Sequence, residues 1–206
     1  MFIQVIEGHT SDPVALQQRS DVWHQEVEPG AIGYLGSTGG VTSAGDAIFV
    51  VRFESKEAAQ QNSDRPEQSA WWAETEKCFD GPVTFHDTSD VQVMDHGNID
   101  RAEFVQVMEG HVTDSGRAHE MTDRADEVLR TARPDLIGTV TAYHDGDAFT
   151  EVAYFTSQDD ARRAEQQMPS DMPEEFAEFQ EVMRVERYLD LEHPWLASAG
   201  RGETRS

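Results

Sequence analysis

The chain has 206 residues, of which 40 are acidic and 16 basic, so its formal net charge is −24. Nucleic-acid backbones and anionic membranes repel such a charge, which argues against both as partners. With one cysteine, Cys78, no apolar run near the roughly 18 residues of a spanning helix and no signal-peptide pattern at the N-terminus, we expect a soluble, cytoplasmic protein without internal disulfides.

The sequence repeats itself with an offset of 102 residues. The segment FIQVIEGHTSD at 2–12 returns as FVQVMEGHVTD at 104–114. A repeat of this length indicates a duplicated domain, because solenoid units are only roughly 20–50 residues long. The predicted organisation is a first domain at 1–95, a linker at 96–101, a second domain at 102–196 and a flexible tail at 197–206.

Each half predicts the same order of elements. In the first half these are a strand at 2–7, a helix that begins at Asp12, strands at 31–42 and 46–54, a helical region after Ser55 and a strand at 82–88. The second half repeats the order and ends with a strand near 185–191. The order β-α-β-β-α-β is that of a ferredoxin-like domain, a four-stranded antiparallel sheet with two helices on one face. We therefore predict an α+β protein of two tandem ferredoxin-like domains whose halves cover each other's sheets.

Several motifs carry a family resemblance. The first strand ends in Glu7-Gly8-His9, the second contains IGYLG at 32–36, and the third reads FVVRFES at 49–55. With these motifs the chain resembles the dimeric α/β-barrel family, in particular its antibiotic-biosynthesis-monooxygenase-like domains, over nearly all of both halves. The resemblance implies an intramolecular dimeric α/β barrel, with a small pocket between each sheet and its helices.

Members of this family include cofactor-free monooxygenases that act on polyketide phenols, haem-degrading enzymes and small isomerases. Glu7 and Glu109 stand where the haem-degrading members carry an asparagine, which argues against haem. The sequence has no flavin, nicotinamide or metal motif, so neither a cofactor nor a metal is predicted.

Glu7 and His9 are the predicted catalytic residues. As alternate residues of an extended segment they share a face. A neutral His9 would accept a proton from a phenol, with its tautomer fixed by Glu7. Glu109 and His111 are their equivalents in the second copy. The alternative is that Glu-Gly-His only caps the first helix or holds its loop.

Four residues of the first half are predicted to bind a ligand. Trp71 and Trp72 are adjacent in a helix, so one ring can enter the core while the other stacks on a flat aromatic ligand; ordinary packing is the alternative. Tyr34 projects from the second strand. Arg52, in the third strand, would hold an anionic or phenolate oxygen if it faces inward. Because the second copy lacks these residues, we predict the working site in the first half.

Two functions follow from this interpretation. The first is a cofactor-free monooxygenase, or a related enzyme, on a small aromatic or polyketide-like substrate. The second is a non-catalytic, small-ligand-binding or stress-associated protein of the same fold. The expected partner is a small apolar or aromatic molecule, and the chain would be a monomer with an internal pseudo-dimer or a homodimer.

Overall fold

The computed structural model describes residues 1–167 and 181–199. The first half contains the elements predicted from the sequence. In chain order they are β1 (Phe2–His9), α1 (Pro13–Val22), β2 (Tyr34–Val41), β3 (Asp46–Phe53), α2 (Lys56–Ser63), α3 (Pro66–Thr75) and β4 (Thr84–Thr88). Helix α1 continues into a π-helical turn at Trp23–Val27.

The second half repeats this order after an additional strand. Its elements are β5 (Asp90–Asp95), β6 (Phe104–Val112), α4 (Ser115–Ala132), β7 (Leu136–Tyr143), β8 (Ala148–Phe155), α5 (Gln158–Gln167) and β9 (Met183–Leu191), followed by β10 (Trp195–Ser198). The continuation of the helical region after α5 and the predicted tail from residue 200 lie outside the described residues.

The same local signals start the equivalent helices of both halves. The Asp12 carboxylate accepts a hydrogen bond from the Ala15 amide at 3.0 Å, and Asp114 does the same for Arg117 at 3.0 Å. Such caps satisfy amides that have no partner inside the helix. At the β2–β3 hairpin Gly45 has φ +92°, a conformation that glycine adopts without strain.

Two five-stranded antiparallel sheets result, in the orders β10-β2-β3-β1-β4 and β5-β7-β8-β6-β9. The last four strands of each sheet have the ferredoxin-like arrangement, and a fifth strand lies at the edge of each sheet. The predicted fold class, an α+β chain of two tandem ferredoxin-like domains, is confirmed.

The compact units do not coincide with the predicted domain ranges. Among the described residues, unit 1 comprises 1–89 and 194–199, and unit 2 comprises 90–167 and 181–193. The physical reason is edge pairing: β5, which follows the first repeat, pairs with β7, whereas β10, which follows the second, pairs with β2. The predicted linker contributes a short 3-10 turn, Ile99–Arg101.

Each sheet has one surface that packs on the helices of its own unit, here called the helix face; the opposite surface is the far face. Phe2 packs with Trp23 and Ala59, so the even-numbered residues of β1 are on the helix face. The odd-numbered residues of β1 are therefore on the far face. In unit 2 Phe104 packs with Ala161, which places alternate residues of β6 on that unit's helix face.

Candidate functional site

Glu7 and His9 are on the far face of unit 1. The His9 side chain is 54 % exposed, and its Nδ1 lies 3.4 Å from Asp80 Oδ2. Its Nε2 is 3.1 Å from the carbonyl oxygen of Ala44, in the β2–β3 turn. Glu7 Oε1 lies 3.9 Å from Nε2 of His86 on the neighbouring β4. The two side chains thus contact an adjacent turn and an edge strand.

Trp71 and Trp72 lie on the opposite side of the sheet, within α3. The Trp71 indole donates a hydrogen bond to the Arg19 carbonyl at 2.7 Å and so ties α3 to α1. The Trp72 ring packs against Phe79 and Phe85, with centroids 6.3 and 5.3 Å away. These contacts correspond to the packing alternative for the tryptophan pair.

Tyr34 is on the helix face, with its hydroxyl 2.9 Å from Ser37 Oγ and its ring 4.8 Å from that of Trp23. Arg52 pairs directly with Ile3 in the β1–β3 register and is therefore on the far face. The six residues predicted for one site are divided between the two faces of a sheet.

His9 and Trp72 thus lie on opposite faces of the sheet of unit 1. Alternation along β1 directs Phe2 to the helices and hence His9 away from them. The sequence pattern left this direction open, because both sets of alternate residues in the strand are apolar at its start. The catalytic roles of Glu7 and His9 stay predictions.

Glu109 and His111 take part in similar contacts in unit 2. Arg187 Nη1 donates to Glu109 Oε2 at 3.1 Å, and His111 Nε2 lies 3.5 Å from Glu186 Oε2. Both copies of the Glu-x-His motif thus have a charged or titratable neighbour on the adjacent edge strand.

Three polar side chains and one methionine cross the middle of the helix face of unit 2. The strand register aligns them in a row across the sheet, which we call the central row: Gln92, Thr141, Glu151 and Met108. The Thr141 hydroxyl donates to Glu151 Oε2 at 3.0 Å. Burial raises the pKa of Glu151 above its ordinary value of 4.5, and the bond from Thr141 offsets part of this shift.

A buried tyrosine supports one end of this row. The Tyr143 hydroxyl donates to Gln92 Oε1 at 2.8 Å, and Gln92 Nε2 donates to the carbonyl of His119 and to Asp123 Oδ1, both at 3.0 Å. Burial raises the pKa of Tyr143 to about 12, so its hydroxyl stays protonated at neutral pH. These bonds fix α4 over β5 and β7.

Two groups on this face have hydrogen-bonding capacity that the described residues do not use. The buried Thr139 hydroxyl has no hydrogen-bond partner within these residues. Glu151 is half-buried, and the hydrogen bond from Thr141 is the only one its carboxylate makes within residues 1–167 and 181–199. A partly desolvated carboxyl of raised pKa beside an unpaired hydroxyl can exchange a proton with a bound molecule.

A second polar location is a recess of about 280 Å³ at one end of unit 2. It is lined by His96, Gly97, Asn98, Arg101, Pro134, Leu136, Ile137 and Thr156. His96 Nε2 lies 2.5 Å from Asp126 Oδ1, while its buried Nδ1 has no hydrogen-bond partner in the described part of the chain.

Within the described ranges, no three His, Cys, Asp or Glu side chains converge in a manner that would hold a metal ion. The helices of the same ranges include none of the length and apolarity needed to cross a membrane.

No protein-family model matches the sequence, and no curated protein matches it. Solved structures do match over the whole chain. A proposed monooxygenase from Lactobacillus acidophilus has a TM-score of 0.71 at 12% identity, covering 97% of both chains. A proposed monooxygenase from Fusobacterium nucleatum has a TM-score of 0.72 at 9% identity, covering 97% of this chain and 94% of that one. An anthrone oxidase-like protein has a TM-score of 0.70 at 12% identity, covering 100% of this chain and 96% of that one.

The chain has the dimeric α/β-barrel fold of the antibiotic-biosynthesis-monooxygenase type, in tandem duplicate. In such a duplicate, equivalent positions of the two copies can be compared directly. The register equates Glu151 with Phe49 and Thr141 with Gly39. A carboxylate in one copy thus stands where the other copy has a phenylalanine. This difference becomes visible only when the two halves are aligned.

Proposed function

We propose that the chain is an oxygenase acting on a small aromatic, anthrone- or polyketide-like molecule, with its site on the helix face of unit 2 and Glu151 as the base. The observation that carries the proposal is the desolvated Glu151 carboxyl in the central row, held on one oxygen by Thr141. A carboxyl whose pKa is raised is a stronger base than an exposed one, and it exchanges protons closer to neutral pH.

The chemistry balances without a further reductant. Glu151 takes a proton from the ring CH2 of an anthrone and leaves the enolate, whose carbon forms a C–O bond with O2. The protonated carboxyl returns its proton to the resulting peroxide. Loss of the second CH proton with cleavage of the O–O bond gives the quinone carbonyl and water, so O2 is the oxidant.

Two further points support this assignment. The fold's characteristic pocket lies between sheet and helices, and the central row lies on that face of unit 2. The proteins of similar fold are described as two proposed monooxygenases and an anthrone oxidase-like protein.

The test is oxygen uptake by the purified chain with anthrone as the probe, together with absorbance of the quinone product. Glu151→Gln keeps the size and the contact with Thr141 but removes the base, so uptake should fall by about 100-fold or more. Wild-type uptake should also fall as the pH drops through the raised pKa of Glu151, because only the carboxylate accepts a proton.

Glu7→Gln is the rival variant, since it removes the carboxylate predicted from the Glu-x-His motif. Loss of uptake in Glu7→Gln and not in Glu151→Gln would overturn the assignment in favour of the first half. Binding of anthrone by wild type, seen by calorimetry without oxygen uptake, would instead support the non-catalytic, ligand-binding function.

A further inference from the structure

Arg52 is a buried cation in the middle of a sheet. It lies on β3 between Ile3 of β1 and Gly36 of β2, on the far face of unit 1, and it is 8 % exposed. An arginine side chain stays protonated at any pH at which the protein is folded. The charge is therefore permanent.

The Nε of this guanidinium is buried and has no hydrogen-bond partner among the residues that the structure describes. Arg133, another largely buried arginine, instead has Asp135 at 2.7 Å from Nη2 and at 3.0 Å from Nε. An uncompensated buried charge is strongly destabilising, by several kcal/mol as an order of magnitude. A counterion bound beside the guanidinium would offset this cost.

The backbone makes room for the guanidinium. Gly36 has φ +147°, and a Cβ at this position would lie 2.5 Å from Arg52 Nη2. In unit 2 the equivalent of Arg52 is Tyr154, which pairs with Gly138. The glycine is present in both copies, whereas the cation is present in one.

We propose that Arg52 is an anion-binding site that takes an oxyanion group, either the carboxylate of a small organic acid or a phosphate. The planar fork of a guanidinium matches both groups with two parallel hydrogen bonds. The net charge of −24 repels anions from the protein as a whole, so binding at this site has to come from local contacts. The site is independent of the proposed oxygenase reaction, since it lies in unit 1 and on the face away from its helices.

Thermal unfolding of the full chain in increasing phosphate or acetate, at constant ionic strength set with sodium chloride, tests the site. A ligand that binds only the folded state raises Tm with its concentration, by about 5 °C at a hundredfold excess over Kd. Wild type should respond to at least one of the two anions, and the stronger response identifies the oxyanion preferred.

Arg52→Met keeps the length of the side chain and removes the charge. It should start from an equal or higher Tm and lose the response. Arg101→Met, at an exposed arginine of unit 2, should keep the full response. A flat wild-type Tm with both anions, or an undiminished response in Arg52→Met, would overturn the proposal. If Arg52→Met does not fold, ³¹P NMR of phosphate tests the proposal instead. Wild type should broaden the phosphate signal, and Arg52→Lys should broaden it less.

Discussion

The two copies differ at the central row of their helix faces. In unit 1 the row is apolar and consists of Trp195, Gly39, Phe49 and Ile6. In unit 2 the same strand positions hold Gln92, Thr141, Glu151 and Met108. Phe49 lies across Gly39, where an added Cβ would be 2.6 Å from its ring, and packs 5.7 Å from the Trp195 ring.

Equivalent positions of the two copies therefore carry different chemistry. Aromatic side chains fill the space between sheet and helices in unit 1, where Trp72 packs on Phe79 and Phe85. In unit 2 the polar row separates two apolar clusters, one around Phe149 and one around Phe155. A row of polar groups inside an otherwise apolar interface costs stability unless the groups are hydrogen-bonded, as Gln92, Thr141 and Glu151 are here.

The largest expected effect is on the stability of unit 1. Phe79 is buried against Leu16 and Ala47, and its ring lies against Gly8. Phe79→Ala should lower the free energy of unfolding by about 3 kcal/mol, measured by urea denaturation. Oxygen uptake per folded molecule should be unchanged, and a specific loss of activity would show that unit 1 takes part in the reaction.

A smaller loss is expected at the edge strand of unit 1. Trp195→Ala removes the indole that packs on Phe49. Because Trp195 is half-buried, the cost should be about 2 kcal/mol, below that of a fully buried tryptophan. Val93→Ala, at an exposed position of β5, is the matched control and should change the unfolding midpoint little.

The contribution of Tyr143 to holding the central row in place can be tested by removing its hydroxyl. Tyr143→Phe removes the hydroxyl that donates to Gln92 and should cost about 1 kcal/mol of stability. If the row is the site, oxygen uptake should also fall by about fivefold, the rate equivalent of that energy. Tyr34→Phe loses a hydroxyl contact of the same kind in unit 1, and its uptake should equal that of wild type.

The smallest effect is a pH-dependent difference in stability. Because the pKa of Glu151 is higher in the folded than in the unfolded chain, ionisation favours unfolding as the pH rises through the folded pKa. Glu151→Gln should therefore gain stability relative to wild type above that pKa, and the gain should disappear below about pH 4.5. A pH-independent difference between the two unfolding curves would show that the carboxyl is not desolvated.

Most of the fold can be predicted from the sequence, because the repeat, the Asp12 cap and the Gly45 turn are local signals. The fifth strand of each sheet cannot be predicted in this way. The sequence predicts that the segment from Trp195 is the end of a domain followed by a tail, yet the partner of Trp195 is Gly39, more than 150 residues away. Local patterns carry no information about which distant edge a short strand joins.

The site was less accessible, for a different reason. The predicted residues stand out by type and rarity, as with Trp71 and Trp72, whose rings pack against their own unit. Glu151 lies in a strand of an acidic chain, where a carboxylate is expected on the solvated side. Only its position opposite Thr141, together with Phe49 at the equivalent place, distinguishes it from the other acids.

The most direct test is an NMR titration with anthrone that observes both units at once. All four tryptophans are in unit 1, so their indole N–H signals report on the packing between its sheet and helices. The ¹³C carboxyl signal of Glu151 reports on the central row of unit 2 and can be assigned by its loss in Glu151→Gln. The account predicts that anthrone shifts the Glu151 signal and leaves that of Trp72 in place. A shift of the Trp72 signal with Glu151 unaffected would contradict it.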